Sequence, residues 1–450
     1  MELSNIQRVY LVGIGGIGMS GLARYFHHLG CVVCGYDKTP TPLTDKLQSE
    51  GIQIIFVDQR DLIPMSFQQP CDSTLIIYTP AIPKDSDILN YFQKKGFELQ
   101  KRSQVLGLIS RGMFCIAVAG THGKTTTSGM IAHILKDSGK DCSAFLGGIS
   151  TNYQTNVLYG DNNIVVVEAD EYDRSFLTLH PDVAIITSMD ADHLDIYGDH
   201  SHLTDSFKLF ASQLKTGGTL IYRKGLPLGD GLTYAIDGEA NAVASNIRIS
   251  EGNFYFDFDN GVTFIPDIKM GIAGIHNIEN ATAAIEAALH VEVSLAAIHE
   301  ALGSFKGIKR RFEYIVRNHK HIYIDDYAHH PEELRAAITS VKKLFQGKKL
   351  TVVFQPHLFT RTRDFVDGFA EVLDMADELL LLDIYPAREL PIEGVTSEII
   401  LNRMNLRNKR ICSKKEALDI VQAEMPELLL TVGAGDIDSL VEPLKAILNV

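Results

Sequence analysis

Residues 115–125 read Cys-Ile-Ala-Val-Ala-Gly-Thr-His-Gly-Lys-Thr. The apolar run Cys115–Ala119 predicts a buried strand, and the residues after Lys124 predict a helix through Leu135. The glycine-rich turn between them joins strand to helix, which is the setting a phosphate loop requires. Glycines let backbone N–H groups turn toward phosphate oxygens, and the helix N-terminus adds partial positive charge. Lys124 reaches terminal phosphates, and the Thr125 hydroxyl suits Mg²⁺. The common loop has a glycine at the position of Val118, so this is a variant with Gly120 as its upstream glycine. The plain alternative is an ordinary strand–helix turn, but Gly-Lys-Thr rarely falls at such a junction by chance.

Downstream, the apolar run Ile164–Val167 ends in Glu168-Ala169-Asp170-Glu171. A second run, Val183–Thr187, leads to Asp190-Ala191-Asp192-His193-Leu194-Asp195. Open α/β sheets bind ligands at the C-terminal ends of parallel strands. Oxygen-rich clusters there suit Mg²⁺, which takes one or two protein ligands plus phosphates and water. Solvated acidic loops are the alternative for either cluster alone.

Upstream, Val9–Val12 predicts a strand that runs into Gly13-Ile14-Gly15-Gly16-Ile17-Gly18, followed by helical spacing over Met19–Leu29. Val32–Tyr36 predicts a second strand ending at Asp37, where a carboxylate would meet a ribose hydroxyl. Alone this pattern reads as a dinucleotide site and an NAD-dependent oxidoreductase. The geometry fits any diphosphate at a helix N-terminus, including that of a UDP-sugar. A second nucleotide loop at Gly120 favours one loop for a donor nucleotide and one for a nucleotide-linked acceptor.

The third segment repeats the alternation. His321–Ile324 predicts a strand before Asp325-Asp326-Tyr327-Ala328-His329-His330-Pro331, and Glu332–Phe345 a helix. Leu350–Phe354 precedes Gln355-Pro356-His357-Leu358-Phe359-Thr360-Arg361-Thr362-Arg363. Glu378–Leu382 and Leu428–Val432 are further strands. Adjacent His329 and His330 on an extended segment point apart, which argues against a shared metal. Arg361 and Arg363 suit a carboxylate or phosphate. Glu251–Asp259 alternates polar and aromatic residues, as a half-exposed antiparallel strand does.

The chain has 450 residues, a length that suits about three domains. Its formal net charge of -14 argues against a nucleic-acid backbone as partner. No apolar run nears the roughly 18 residues of a membrane span. The N-terminus lacks a basic signal-peptide region, so we expect a cytoplasmic protein with no membrane insertion. Cys31 and Cys34 have redox or zinc spacing but no second ligand pair, and they fit a buried strand better.

Eight ordered stretches resemble the Mur ligase family. They are Gly13–Ala23, Ala119–Thr127, Glu168–Leu177, Ala191–Asp195, Gly274–Ala284, Arg310–Glu313, Asp325–Glu332 and Phe354–Arg363. The resemblance covers nearly the whole chain and implies an α/β protein of three domains. Residues 1–106 would form a Rossmann-like domain for the UDP-substrate, 107–313 a central P-loop ATPase-type domain, and 314–450 a C-terminal Rossmann-like domain for the amino acid. The implied activity is ATP-dependent amide-bond formation in peptidoglycan precursor synthesis. The pattern is nearest to members that join L-alanine to UDP-N-acetylmuramate. Members that attach a murein tripeptide to the same acceptor share the first two domains' motifs. The Phe354 stretch resembles the alanine enzymes.

By resemblance, Gly15, Gly16, Ile17, Asp37 and Thr79 would line the UDP site. Gly120, Thr121, His122, Gly123, Lys124, Thr125 and Thr126 would hold the ATP phosphates. Asn280 would contact adenine, Arg311 phosphate and Asp326 ribose. Thr125 and Glu168 would bind one Mg²⁺ and His193 a second. Tyr327, His329 and Arg361 would bind the amino acid. Lys124, Glu168, His193 and Arg361 would act in the reaction. The family motif His-Arg-Tyr is His357-Leu358-Phe359 here, so leucine replaces an arginine that contacts the amino acid. Thr187-Ser188-Met189-Asp190 stands for the usual Thr-Asn-Ile-Glu. Some members use a carbamylated lysine, and Lys208 is the nearest lysine. A monomer or a homodimer is expected.

Overall fold

The computed structural model describes residues 3–190, 200–250, 253–387 and 389–449. Three sheets follow one another along the chain. The first contains β1 (Arg8–Val12), β2 (Val32–Tyr36), β3 (Gln53–Ile55), β4 (Thr74–Tyr78) and β5 (Leu99–Lys101) in the order β3-β2-β1-β4-β5. All four pairings are parallel. Strand order reverses at β1, so the crevice of this sheet lies at the glycine turn after Val12. Helix α1 (Ile17–His28) leaves that turn. It buries Met19, Leu22, Ala23 and Phe26, the spacing of one helical face.

The second sheet has ten strands. They are β6 (Phe114–Ala119), β7 (Ser143–Ser150), β8 (Thr155–Leu158), β9 (Ile164–Glu168), β10 (Val183–Ile186), β11 (Thr219–Arg223), β12 (Leu232–Ile236), β13 (Ala242–Ser250), β14 (Asn253–Asp259) and β15 (Phe264–Lys269). The order β15-β14-β13-β12-β11-β10-β6-β9-β7-β8 sets β6 between two parallel neighbours, β9 and β10. β6, β9 and β10 are nearly all buried aliphatics, as a sheet covered on both faces demands. Two helices lie next to the site: α2 (Arg102–Gly112), and α3 (Lys124–Asp137), which starts at the lysine of the loop. Helix α4 (Ile275–His290) follows β15.

The third sheet contains β16 (Glu313–Arg317), β17 (Ile322–Asp326), β18 (Leu350–Phe354), β19 (Glu378–Leu381), β20 (Lys409–Ile411) and β21 (Leu428–Val432). Its order is β16-β17-β21-β18-β19-β20, parallel except for β16. Helix α5 (Pro331–Leu344) follows β17, and the short α6 (Phe359–Asp364) follows β18.

By contact the chain divides into two compact units. One is Met1–Ser245, Asp257–Pro266 and Glu279–Ser304, and the other is Asn246–Phe256, Asp267–Ile278 and Phe305–Val450. The first unit contains both the first sheet and β6–β12. One apolar cluster runs from Val9 and Leu22 to Val165 and Phe207, so these two sheets share a core.

One reading needs correction. The strand expected to stop at Ile324 continues through Asp326, because Arg310 and Thr431 partner Asp325 and backbone N–H groups partner Asp326. The second and third sheets are mixed, since β7–β8 and β16–β17 pair antiparallel. The aromatic strand begins at Asn253 and buries Phe254, Phe256 and Phe258; residues 251 and 252 lie outside those described. Cys31 and Cys34 are buried free thiols, and the Cys31 thiol donates to the Ile6 carbonyl. Among the described residues no helix is long and apolar enough to cross a membrane.

Candidate active site

The first glycine turn is built from backbone. Gly13 N–H donates to the Tyr36 carbonyl at 2.7 Å. Its φ of 91° is a left-handed conformation that favours glycine, and an added β-carbon would meet Thr79 at 2.6 Å. Gly15 N–H donates to Asp37 Oδ2 at 2.7 Å, while Asp37 Oδ1 accepts from Thr39 N–H at 3.2 Å. Asp37 therefore organises the loop, and both its oxygens have work before any ribose arrives. Gly16 is exposed at the start of α1 and caps it without a side chain.

The second turn is tighter. Gly120 has a φ of 136°, and a β-carbon there would strike Thr187 Oγ1 at 2.1 Å. Gly123 has a φ of 79° and lies against the Asn280 amide, which would sit 2.6 Å from an added β-carbon. Thr121 Oγ1 and Ser188 Oγ bond at 2.9 Å, and the His122 N–H donates to Ser188 Oγ at 2.7 Å. Thr187 Oγ1 donates to the His122 carbonyl. These hydroxyls fix the loop from the end of β10.

Lys124 Nζ donates to the carbonyl of Gly120 at 2.5 Å, to that of Thr121 at 3.3 Å and to Glu171 Oε1 at 2.9 Å. Burial alone would lower its pKa, but Glu171 and Glu168 outweigh burial and raise it, so the ammonium stays charged. Thr125 and Thr126 are buried on the first turn of α3. Glu168, at the end of β9, accepts from Gly147 N–H at 2.8 Å through Oε2. His193 lies outside the described residues. Among the described residues no three His, Cys, Asp or Glu side chains gather as a metal cage.

The second unit holds the remaining candidates. Asp326 accepts from the N–H groups of Phe312 at 2.6 Å and Ala328 at 2.7 Å. Burial pushes its carboxyl up to about 6, against the pull of Arg311. The chain bends at Arg310 (φ 61°) and Phe312 (φ 51°), which sets both Arg310 and Arg311 over the Tyr327 ring. His329 Nδ1 lies 2.9 Å from the Tyr327 carbonyl, and its backbone N–H donates to Glu333 at 3.0 Å. Burial lowers the His329 imidazole to about 4, despite Glu333.

Arg361 Nη1 approaches His357 Nδ1 at 3.4 Å. The His357 ring meets His329 edge-on and stacks on Tyr385, each at 5.8 Å. Leu358, where the family has arginine, has a φ of 70° and donates its N–H to the Tyr385 carbonyl. With His357 Nδ1 accepting from Arg361 and His329 Nδ1 donating to the Tyr327 carbonyl, Nε2 of neutral His329 can accept a hydrogen bond from an ammonium while the guanidinium takes a carboxylate. A free amino acid offers both groups.

The site readings missed Arg102, which lies against Gly18 and pairs with Asp170 at 2.9 Å. A lone arginine after a three-residue strand carries no local signal. They also gave no separate role to His357 or Tyr385, because partnership across β18 and the following loop is not visible along the chain.

Family profiles match in chain order. The profile of the Mur ligase family catalytic domain matches residues 8–113, that of the middle domain 118–288, and that of the Mur ligase glutamate ligase domain 310–435. A UDP-N-acetylmuramate–L-alanine ligase of Flavobacterium johnsoniae is 48% identical, over 100% of this chain and 99% of that protein. The chain belongs to the Mur ligase family. A second such relative, from Cytophaga hutchinsonii, is 49% identical over 99% of this chain and 97% of its own. The crystal structure of a Thermotoga maritima UDP-N-acetylmuramate–alanine ligase superposes with a TM-score of 0.81 at 27% identity, covering 97% of this chain and 98% of that one. A murein peptide ligase from Psychrobacter arcticus has the same fold, with a TM-score of 0.69 at 23% identity over 99% of both chains. The Mur ligase fold thus sets a glycine turn at the end of β1, a phosphate loop at the end of β6, and the histidine–arginine cluster after β17 and β18.

Proposed function

We propose that this Mur ligase joins L-alanine to the carboxylate of UDP-N-acetylmuramate at the expense of ATP, giving ADP and phosphate. The observation that carries the reading is two glycine turns at strand–helix junctions of one unit, only one of which has a lysine. Gly120–Thr126, with Lys124, suits the triphosphate. Gly15, Gly16, Ile17 and Thr79 suit the diphosphate of the acceptor, with Asp37 holding the turn. Asn280 beside Gly123 suits adenine. Arg311 suits phosphate and Asp326 ribose. Tyr327, His329 and Arg361, joined by His357, suit the amino acid. Full-length relatives near 48% identity that carry the alanine activity support this choice over the tripeptide.

A carboxylate is a poor electrophile, so an oxygen of the acceptor carboxylate attacks the γ-phosphorus, forming an acyl phosphate and releasing ADP. The alanine amine, having lost a proton, attacks the acyl carbon. The tetrahedral adduct collapses, the C–O bond to phosphate breaks, and the amide remains. Lys124 offsets repulsion between the anionic nucleophile and the phosphates. The donor set fits Mg²⁺: a threonine hydroxyl, Thr125, and a carboxylate, Glu168, at a phosphate loop, with the other positions left to phosphate and water. When bound, Mg²⁺ supplies positive charge where the γ-phosphate becomes more anionic. The substrates are solutes of the cytoplasm, so we place the enzyme there.

The test is phosphate release with ATP, Mg²⁺ and UDP-N-acetylmuramate. Release with L-alanine, and none when Mg²⁺ is omitted, is expected. Release with the murein tripeptide but not alanine overturns the amino-acid assignment.

A further inference from the structure

Arg102 opens α2, yet its guanidinium lies against the first turn of α1. A β-carbon on Gly18 would come within 2.2 Å of Arg102 Nη1 and 3.2 Å of Cζ. The helix start carries partial positive charge. It has no acidic residue in its first turn and no side-chain cap. A second cation placed there is electrostatically misplaced unless an anion joins it. Asp170 is the anion present: Arg102 Nη2 donates to Asp170 Oδ2 at 2.9 Å. Nη1 faces the glycine turn, while Nη2 faces the end of β9. Arg102, Glu168, Asp170 and Ser175 also line a small void of about 10 Å³, room for about one water. The Arg102 side chain is about a quarter exposed.

We propose that Arg102 is a phosphate-binding residue for the diphosphate of the nucleotide-linked acceptor, and that Asp170 is the positioning residue that aims it. This rests on the reading of Gly13–Gly18 as the acceptor's diphosphate turn. A planar guanidinium beside helix N–H groups offers charged donors to the same oxyanion. A side chain at Gly18 would displace the Arg102 guanidinium from this position. Asp170 sits two residues beyond Glu168, so the acceptor's clamp and the metal-binding candidate of the ATP site are fixed by one strand end.

The experiment is calorimetric binding of UDP, UDP-N-acetylglucosamine and UDP-N-acetylmuramate to the full chain and to R102A, R102K, D170N and the double variant R102A/D170N. R102A is expected to weaken all three ligands by a similar factor, roughly ten-fold or more. R102K should recover part of the loss, because it restores charge without the planar fork. D170N should weaken them less, and the double variant should bind no worse than R102A, because Asp170 acts through Arg102. Unchanged affinity for an ATP analogue shows that the variants fold. Loss confined to UDP-N-acetylmuramate would assign Arg102 to the sugar carboxylate and overturn the diphosphate clamp. Unchanged UDP affinity in R102A would also overturn it. If the parent chain bound no UDP compound, the functional reading itself would fail, a result distinct from either.

Discussion

His357 links the cluster's geometry to a measurable pH dependence. Its imidazole is lowered to about 4, first by burial, then by His329 and Arg361. An unfolded chain protonates histidine near pH 6.5. Between those values the unfolded state binds a proton that the folded state refuses. The stability from this group is fully present above about pH 6.5 and is lost as pH falls toward 4. Asp325 and Asp326, pushed up to about 6 by burial, have the opposite sign. Their contribution is present at low pH and is lost as pH rises from about 4 through 6. A difference between variants isolates the histidine. His357→Gln keeps an acceptor for Arg361 but cannot titrate. Its melting temperature should fall less between pH 7 and pH 5 than that of the parent. Equal falls would mean that the imidazole is charged in the fold. At this scale Gly120, Lys124 and Thr125 were legible, because each residue type has a local reason to occur where it does. The bond from the Gly15 N–H to Asp37 was not, because a carboxylate at a strand end that suits ribose gives no sign of the turn it also holds.

At the scale of elements, α1 is held by a buried amide from the second sheet. Asn156 on β8 is 1% exposed. Its Oδ1 accepts from Arg24 Nη1 at 2.7 Å, and its Nδ2 donates to the Ile17 carbonyl at 2.5 Å and to Ser20 Oγ at 3.3 Å. Arg24 also pairs with Glu50 at 2.7 Å. Asn156→Ala removes these bonds and leaves partners buried. It should cost about 1–3 kcal/mol in urea unfolding, since an unsatisfied buried group forfeits its full desolvation. A change within about 0.5 kcal/mol, typical of a surface site, would show that water replaces the amide. The parallel strands β1, β6, β9, β10, β18 and β21 were legible because burial on both faces makes them continuous apolar runs. β7, β8 and β16 were not. β16 is mostly half exposed, β8 opens with the polar pair Thr155-Asn156, and Gly147-Gly148 interrupts β7 with a break that reads as a loop. Asp325 and Asp326 were read as loop residues because nothing local shows that Arg310 and Thr431 will satisfy a carboxylate inside a strand.

At the scale of the molecule, both glycine turns belong to one unit and the histidine–arginine cluster to the other. Length and motifs suggested a separate body for each ligand. Three Mur ligase domains do follow one another along the chain, and by contact the first sheet groups with β6–β12 in one unit, because α1 packs on β7 and β8 and their side chains share a core. Sharing a core does not merge the two binding sites. The first turn is held by Tyr36, Asp37 and Thr79, and the second by Thr187, Ser188 and Asn280. The two turns have no holding residue in common. Lys124→Ala should therefore remove ATP-analogue binding and amide formation while the affinity for UDP changes less than about two-fold, since distant sites without shared partners act additively. Hydrogen exchange adds the local readout. UDP should protect residues 13–20 in the variant as in the parent, and the ATP analogue should protect residues 119–126 in the parent alone. Loss of UDP protection in the variant would mean that Lys124 supports both turns, through the line from Glu171 and Asp170 to Arg102, and the sites would have to be described as one.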